Sequence, residues 1–138
     1  MQFTRASDYA VRVLGYLVKA NGSVSRSQSI AAATDIPESF LAKILGQLTR
    51  SGIVRSHRGA HGGFTLATDA AELTLLDVVE AMEGPLRLDQ CSSPEPCRFR
   101  GDCPIEKAWA QAERSLRESL RGHRIVDLAR ESNDIIHA

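Results

Sequence analysis

Cys91, Cys97 and Cys103 are the only cysteines among 138 residues, and neighbours are separated by five residues in Cys91-Ser92-Ser93-Pro94-Glu95-Pro96-Cys97-Arg98-Phe99-Arg100-Gly101-Asp102-Cys103-Pro104. Thiolates are soft ligands that select iron-sulfur clusters, zinc or copper(I) over hard cations. Zinc knuckles pair cysteines about two to four residues apart, so this wider spacing favours a larger object than one ion. Cys103 directly precedes Pro104 at a predicted helix start, where the dipole favours a thiolate. A cluster leads on spacing; a zinc site and a direct thiol redox switch stay open. The segment 84–103 shows no apolar periodicity, and a stretch of about 20 residues without structure of its own is unusual in a compact domain unless a function orders it.

An odd cysteine count fits metal or redox chemistry better than a disulfide framework. With no signal-type leader after Met1 and no apolar run near the roughly 20 residues that span a bilayer, the expectation is a cytoplasmic protein with reduced thiols and no membrane partner. The length suits one domain with an appended dimerisation element. The zero net charge hides an asymmetry: residues 1–66 carry eight Lys and Arg against three Asp and Glu, and residues 67–138 carry nine against fourteen. A basic front half is the electrostatic footprint of a nucleic-acid reader.

The elements that must position these residues follow from periodicity. Ala10, Val13, Leu14, Leu17 and Val18 predict an amphipathic helix over about 7–20, with Ser7 as N-cap and Asp8 complementing the dipole in its first turn. A short alanine-rich helix follows over 27–34, capped by Ser27. After a tight turn at Asp35-Ile36, Pro37 suits the N1 position of a third helix with Phe40, Leu41, Ile44, Leu45 and Leu48 as its buried stripe, closed by Gly52. Two short helices joined by a tight turn make a helix-turn-helix. The strand-like runs 53–57 and 64–67, separated by Arg58-Gly59-Ala60-His61-Gly62-Gly63, read as a glycine-rich hairpin, a wing.

Thr74 and Asp77 predict a capping box opening a helix that runs to Gly84. Pro104 opens the longest helix, about 104–121, with Ile105, Trp109, Ala112, Leu116 and Leu120 as a stripe suited to dimerisation. A short helix around Ile125, Val126 and Leu128 precedes a polar tail expected to fray. The fold expected is mainly α with a small β-hairpin wing. Its divisions are a winged helix-turn-helix DNA-binding domain with supporting helix at 1–83, a cluster-binding loop at 84–103, and a dimerisation helix with C-terminal tail at 104–138.

In the third helix Ser39, Ala42, Lys43, Gln47 and Arg50 are expected to face outward. Ser39 and Lys43 lie near the end of a recognition helix that meets base edges, and Arg50 is better placed for phosphate. Arg58 can enter a narrow minor groove, and the wing glycines allow close backbone approach. The expected DNA-contact set is Ser27, Ser39, Phe40, Lys43, Arg50, Arg58, Gly59, His61 and Gly62. His57 and His61 read as wing residues near phosphate. There is no glycine-rich phosphate loop and no nucleophile elbow, and no histidine neighbours the cysteines or a carboxylate pair, so no enzyme and no small-molecule substrate are expected.

This order of helices, wing and cysteine triplet resembles the iron-sulfur winged-helix transcription regulators of the IscR and NsrR type (the Rrf family), over essentially the whole chain. The resemblance implies a homodimer with one cluster per subunit, reading a palindromic site in double-stranded DNA and acting as a repressor. The signal implied is nitric oxide, redox state or iron supply. It matches Cys91, Cys97 and Cys103 to the cluster cysteines, and Ser39 and Phe40 to positions used at DNA. Where IscR-like members carry a histidine ligand, this chain has Glu106; where NsrR-like members supply an aspartate from the first helix of the other subunit, it has Asp8. The resemblance therefore favours a four-iron over a two-iron iron-sulfur cluster, with Asp8 as fourth ligand and Glu106 in reserve. Ala42 replaces a base-discriminating glutamate of IscR-like members.

Overall fold

The structure, a computed structural model, describes residues 4–88, 91, 94–95 and 97–131. Helix α1 (Arg5–Ala20) buries Ala10, Val13, Leu14 and Leu17 and ends at Asn21, whose left-handed conformation lets its N–H reach the Val18 carbonyl. It begins earlier than the Ser7 cap predicts. Thr4 occupies the N-cap position without a side-chain cap bond. Ser7 is instead inside the helix, buried, and donates to Glu83 Oε1 at 2.7 Å.

Helix α2 (Ser27–Thr34) has the expected bounds, but its N-cap is Arg26 and no side chain caps it, so Ser27 is the first helical residue and not the cap. Asp35, left-handed at φ 55°, turns the chain with the buried Ile36, and Pro37 is the N-cap, not N1, of α3 (Glu38–Arg50). Strands β1 (Val54–His57) and β2 (Gly63–Leu66) pair antiparallel, with Val54 opposite Leu66 and His57 opposite Gly63. Ser25 adds a bridge to Phe64 at the root of this wing.

The predicted capping box opens α4 (Leu75–Glu83): Thr74 N–H donates to Asp77 Oδ2 at 2.9 Å and Asp77 N–H to Thr74 Oγ1 at 3.3 Å. Helix α5 (Pro104–Arg121) has the expected bounds. Helix α6 (Ile125–Glu131) follows, and the tail beyond it lies outside the described residues. The main core joins α1, α2, α3, β1 and α4, and takes in Ile125 of α6, which packs on α1. A second, smaller cluster of Leu76, Leu86 and Leu120 seats α5 on α4. The chain is thus mostly helical with a two-stranded antiparallel wing. Among the described residues no helix is long and apolar enough to cross a membrane.

Candidate nucleic-acid interface and cysteine loop

Helix α3 buries Leu41, Ile44, Leu45 and Leu48, which leaves Ser39, Phe40, Ala42, Lys43 and Arg50 exposed. Gln47 does not face outward as expected. Its Nε2 donates to the carbonyls of Ala81 and Met82 at 3.1 and 3.0 Å, satisfying the last turn of α4, so it fixes the seat of α3 and is not free for a base. Phe40, expected in the buried stripe, is instead 53% exposed: it lies in the first turn of α3, at the edge of the buried face, and meets the Tyr9 ring edge-on with centroids 6.3 Å apart.

Arg58, Gly59, Ala60 and His61 are exposed on the wing turn, and Gly62 N–H closes the turn on the Gly59 carbonyl at 2.9 Å. Gly59 has φ +101°, a conformation glycine adopts at little cost. At Gly62 a Cβ would lie 2.4 Å from the His57 carbonyl oxygen. His57, expected near phosphate, is half-buried with Nε2 2.8 Å from Thr65 Oγ1.

Asp8 is exposed in the first turn of α1 and pairs with Arg12 Nη2 at 2.9 Å. The Arg12 guanidinium lies over the Tyr9 ring, 5.6 Å from its centroid. A line of contacts therefore runs from Asp8 through Arg12 and Tyr9 to Phe40 of the recognition helix. Beside it, the Glu83 carboxylate accepts from the Thr4 N–H at 3.0 Å, from the Thr4 hydroxyl and from Ser7. Burial acts to raise the Glu83 pKa, but these donors prevail and hold it below the ordinary glutamate value.

The three cysteines lie on the connection between α4 and α5, Cys97 exposed and the other two half-buried, and none is joined in a disulfide. Arg100 cinches this connection by donating to the Cys91 carbonyl at 2.7 Å, and Arg100 N–H reaches the Cys97 carbonyl at 3.2 Å. Cys103 is the N-cap of α5, as expected. Glu106 turns back and accepts from Gly101 N–H at 2.9 Å, so the reserve ligand already braces the loop. Among the described residues no three His, Cys, Asp or Glu side chains converge as a metal site. The donor chemistry nonetheless fits an iron-sulfur group: three thiols on one loop, one at a helix N-terminus.

The approach to this loop is fixed by a polar clasp that the sequence reading missed. Arg117 of α5 donates to both Glu80 oxygens at 3.1 Å, Glu80 Oε2 accepts from Leu86 N–H at 3.0 Å, and Glu113 Oε2 accepts from Leu88 N–H at 3.3 Å. Glu113 and Arg117 are one turn apart on α5 and Glu80 is on α4, but no local pattern reveals that they meet. Arg26 was also missed, although an arginine at a helix N-cap is an unusual choice.

Known proteins place these features in a family. A protein of Rhizobium meliloti named Protein aau3 is 36% identical over 132 residues, covering 94% of this chain and 86% of its own. Two solved structures share the fold. CymR (YrzC), the global cysteine regulator of B. subtilis, is 24% identical with a TM-score of 0.77, covering 96% of this chain and 98% of its own. T. potens IscR is 23% identical with a TM-score of 0.72, covering 95% and 88%. The family profile described as Rrf2, iron-dependent transcriptional regulator, matches residues 3–131. The chain belongs to the Rrf2 family of transcriptional regulators.

Proposed function

We propose that this regulator is a homodimeric, cytoplasmic repressor that reads a palindromic site in double-stranded DNA and is controlled by a four-iron iron-sulfur cluster. The observation that carries this reading is a winged helix-turn-helix with an exposed recognition face, continuous with a loop bearing three cysteines that form no disulfide. The family's description as iron-dependent supports it. Residues 1–83 serve DNA, 84–103 the cluster, and 104–138 dimerisation, with α6 returning to pack on α1. Ser39, Phe40 and Lys43 meet base edges, Ser27 and Arg50 meet phosphate, and Arg58, Gly59, His61 and Gly62 form the wing contact.

Cys91, Cys97 and Cys103 would hold the cluster, with Asp8 of the partner subunit as fourth ligand. When bound, the cluster supplies an inorganic centre reactive toward nitric oxide and oxidants, or lost when iron is scarce. The remaining work falls to side chains. Asp8 either pairs with Arg12 of its own helix or reaches the other subunit's loop, and Arg12 rests on Tyr9, which abuts Phe40. A change of Asp8 partner is thereby felt at the recognition helix. Half-sites about 34–36 Å apart tolerate little displacement, and a coupling of about 1–3 kcal/mol changes affinity about five- to 150-fold. Selection from a random duplex library should recover a site with dyad symmetry; recovery of no preferred sequence, or of an asymmetric one, contradicts the reading.

A second reading keeps the DNA interface and makes the cysteines a zinc site or thiol switch. Cys97 is exposed, as a reactive thiol requires, and a fold neighbour is a cysteine regulator. Colourless protein after strictly anaerobic purification, with stoichiometric zinc or none, decides for it.

A further inference from the structure

Arg26 breaks a local rule. Helix N-caps favour Ser, Thr, Asp or Asn, and a cation there opposes the positive end of the helix dipole. Arg26 nevertheless occupies the N-cap of α2, with extended backbone and no side-chain cap bond. Its guanidinium is committed elsewhere: Nη2 donates to the Ala60 carbonyl, 34 residues away on the wing turn, at 2.6 Å. The preceding residue fastens the same wing at its root, where Ser25 N–H donates to the Phe64 carbonyl at 3.0 Å and Phe64 N–H to the Ser25 carbonyl at 2.8 Å. The root is closed further by Gly63, at which a Cβ would lie 2.4 Å from the Ser25 carbonyl oxygen. Consecutive residues 25 and 26 thus hold both ends of the wing against the start of α2.

We propose that Arg26 is a positioning residue that pins the wing turn to the helix-turn-helix, so that Arg58 and His61 are presented to DNA in a set orientation. The proposal rests on the DNA-binding reading and adds a residue to it. Arg26 acts on DNA through Ala60, not through a phosphate. A local helix preference is given up for a contact between two parts of one interface, which is where such violations are expected.

The test is Arg26→Met, which keeps the stem and removes donors and charge, with Arg26→Lys as a partner that keeps charge and one donor cluster. Amide exchange of the DNA-free protein should speed up at residues 59–64 in Arg26→Met and stay as wild type in α1 and α3, with the unfolding midpoint held. Affinity for a duplex carrying the library-selected site should fall about two- to tenfold at every salt concentration, with the slope of log affinity against log salt unchanged. Arg26→Lys should recover part of both effects. A slope smaller by about 0.9 makes Arg26 a phosphate ligand and overturns the proposal. So does unchanged wing exchange, unchanged affinity, or a lowered midpoint with faster exchange throughout. Should Arg26→Met not fold, Arg26→Gln, which also removes the charge, takes its place under the same exchange and slope criteria. The exchange arm needs no DNA, so a wild type that binds no duplex removes the DNA reading while leaving the pin itself measurable.

Discussion

The Asp8 carboxylate lies 2.9 Å from Arg12, in the first turn of a helix whose dipole also favours it. An i,i+4 pair of this kind, with Asp8 exposed and Arg12 half-buried, contributes about 0.5 kcal/mol, so it is cheaply exchanged for a stronger partner. Asp8→Ala should therefore cost little stability, judged by unfolding midpoint, yet uncouple DNA affinity from cluster loss; normal switching in this variant contradicts the tether. Arg50 is exposed at the end of α3. Arg50→Ala should weaken binding to all sequences alike and lower the salt slope by about 0.9, whereas a change of sequence preference would make Arg50 a base reader. At this scale the sequence was only partly legible. Leu41, Ile44, Leu45 and Leu48 announced the buried face of α3 by spacing, but Gln47 shares the polar alphabet of the outward positions and is spent on α4 carbonyls 34 and 35 residues away. Ser7 misled in the same way: its hydroxyl suits a cap, yet a carboxylate 76 residues later takes it.

The elements themselves were legible where their signals are local. The Thr74–Asp77 capping box, the Pro104 start of α5 and the glycine-rich wing all rest on residues within a few positions of one another. What local patterns cannot carry is the fastening of one element to another, and two fastenings can be tested. Gly63→Ala places a Cβ against the Ser25 carbonyl. It should detach the wing root and reduce DNA affinity at least tenfold with the helical circular dichroism retained; wild-type affinity would show that the wing is not part of the interface.

Glu83 joins the start of α1 to the end of α4, and its folded-state pKa lies below the ordinary value. The unfolded chain therefore binds more protons in acid. The Glu83 contribution is complete above the ordinary glutamate pKa of about 4.3 and is lost as pH falls through the folded value. Glu83→Gln should cost about 1 kcal/mol at neutral pH and flatten the acid limb of a stability-versus-pH curve; an unaltered limb assigns the acid sensitivity elsewhere.

Across the whole molecule, the basic residues 1–66 cover α1, the helix-turn-helix and the wing, whereas the acid excess falls in 67–83, the segment leading into and through α4, which holds five Asp and Glu and no Lys or Arg. This arrangement directs phosphate toward one end. Helix α5 touches the rest of the chain mainly through α4 and leaves Ile105 and Trp109 65% and 46% exposed. The predicted stripe is thus divided, with Leu116 and Leu120 packed in the cluster of Leu76 and Leu86 and its first two turns left exposed. Trp109→Glu should shift the sedimentation coefficient from dimer to monomer and abolish binding to the palindromic site; a dimer that survives moves the interface elsewhere. The cysteines mark the limit of sequence reading, because their loop is identifiable by composition while the proposed fourth ligand, Asp8, would come from another chain.

The central claim is that this loop holds an iron-sulfur cluster, and anaerobic visible absorption with iron and sulfide counts, on wild type and Cys97→Ala, tests it most directly. The account predicts a brown wild type with about four irons per chain and a bleached Cys97→Ala that still folds. A colourless wild type, or a Cys97→Ala with an unchanged spectrum, contradicts it.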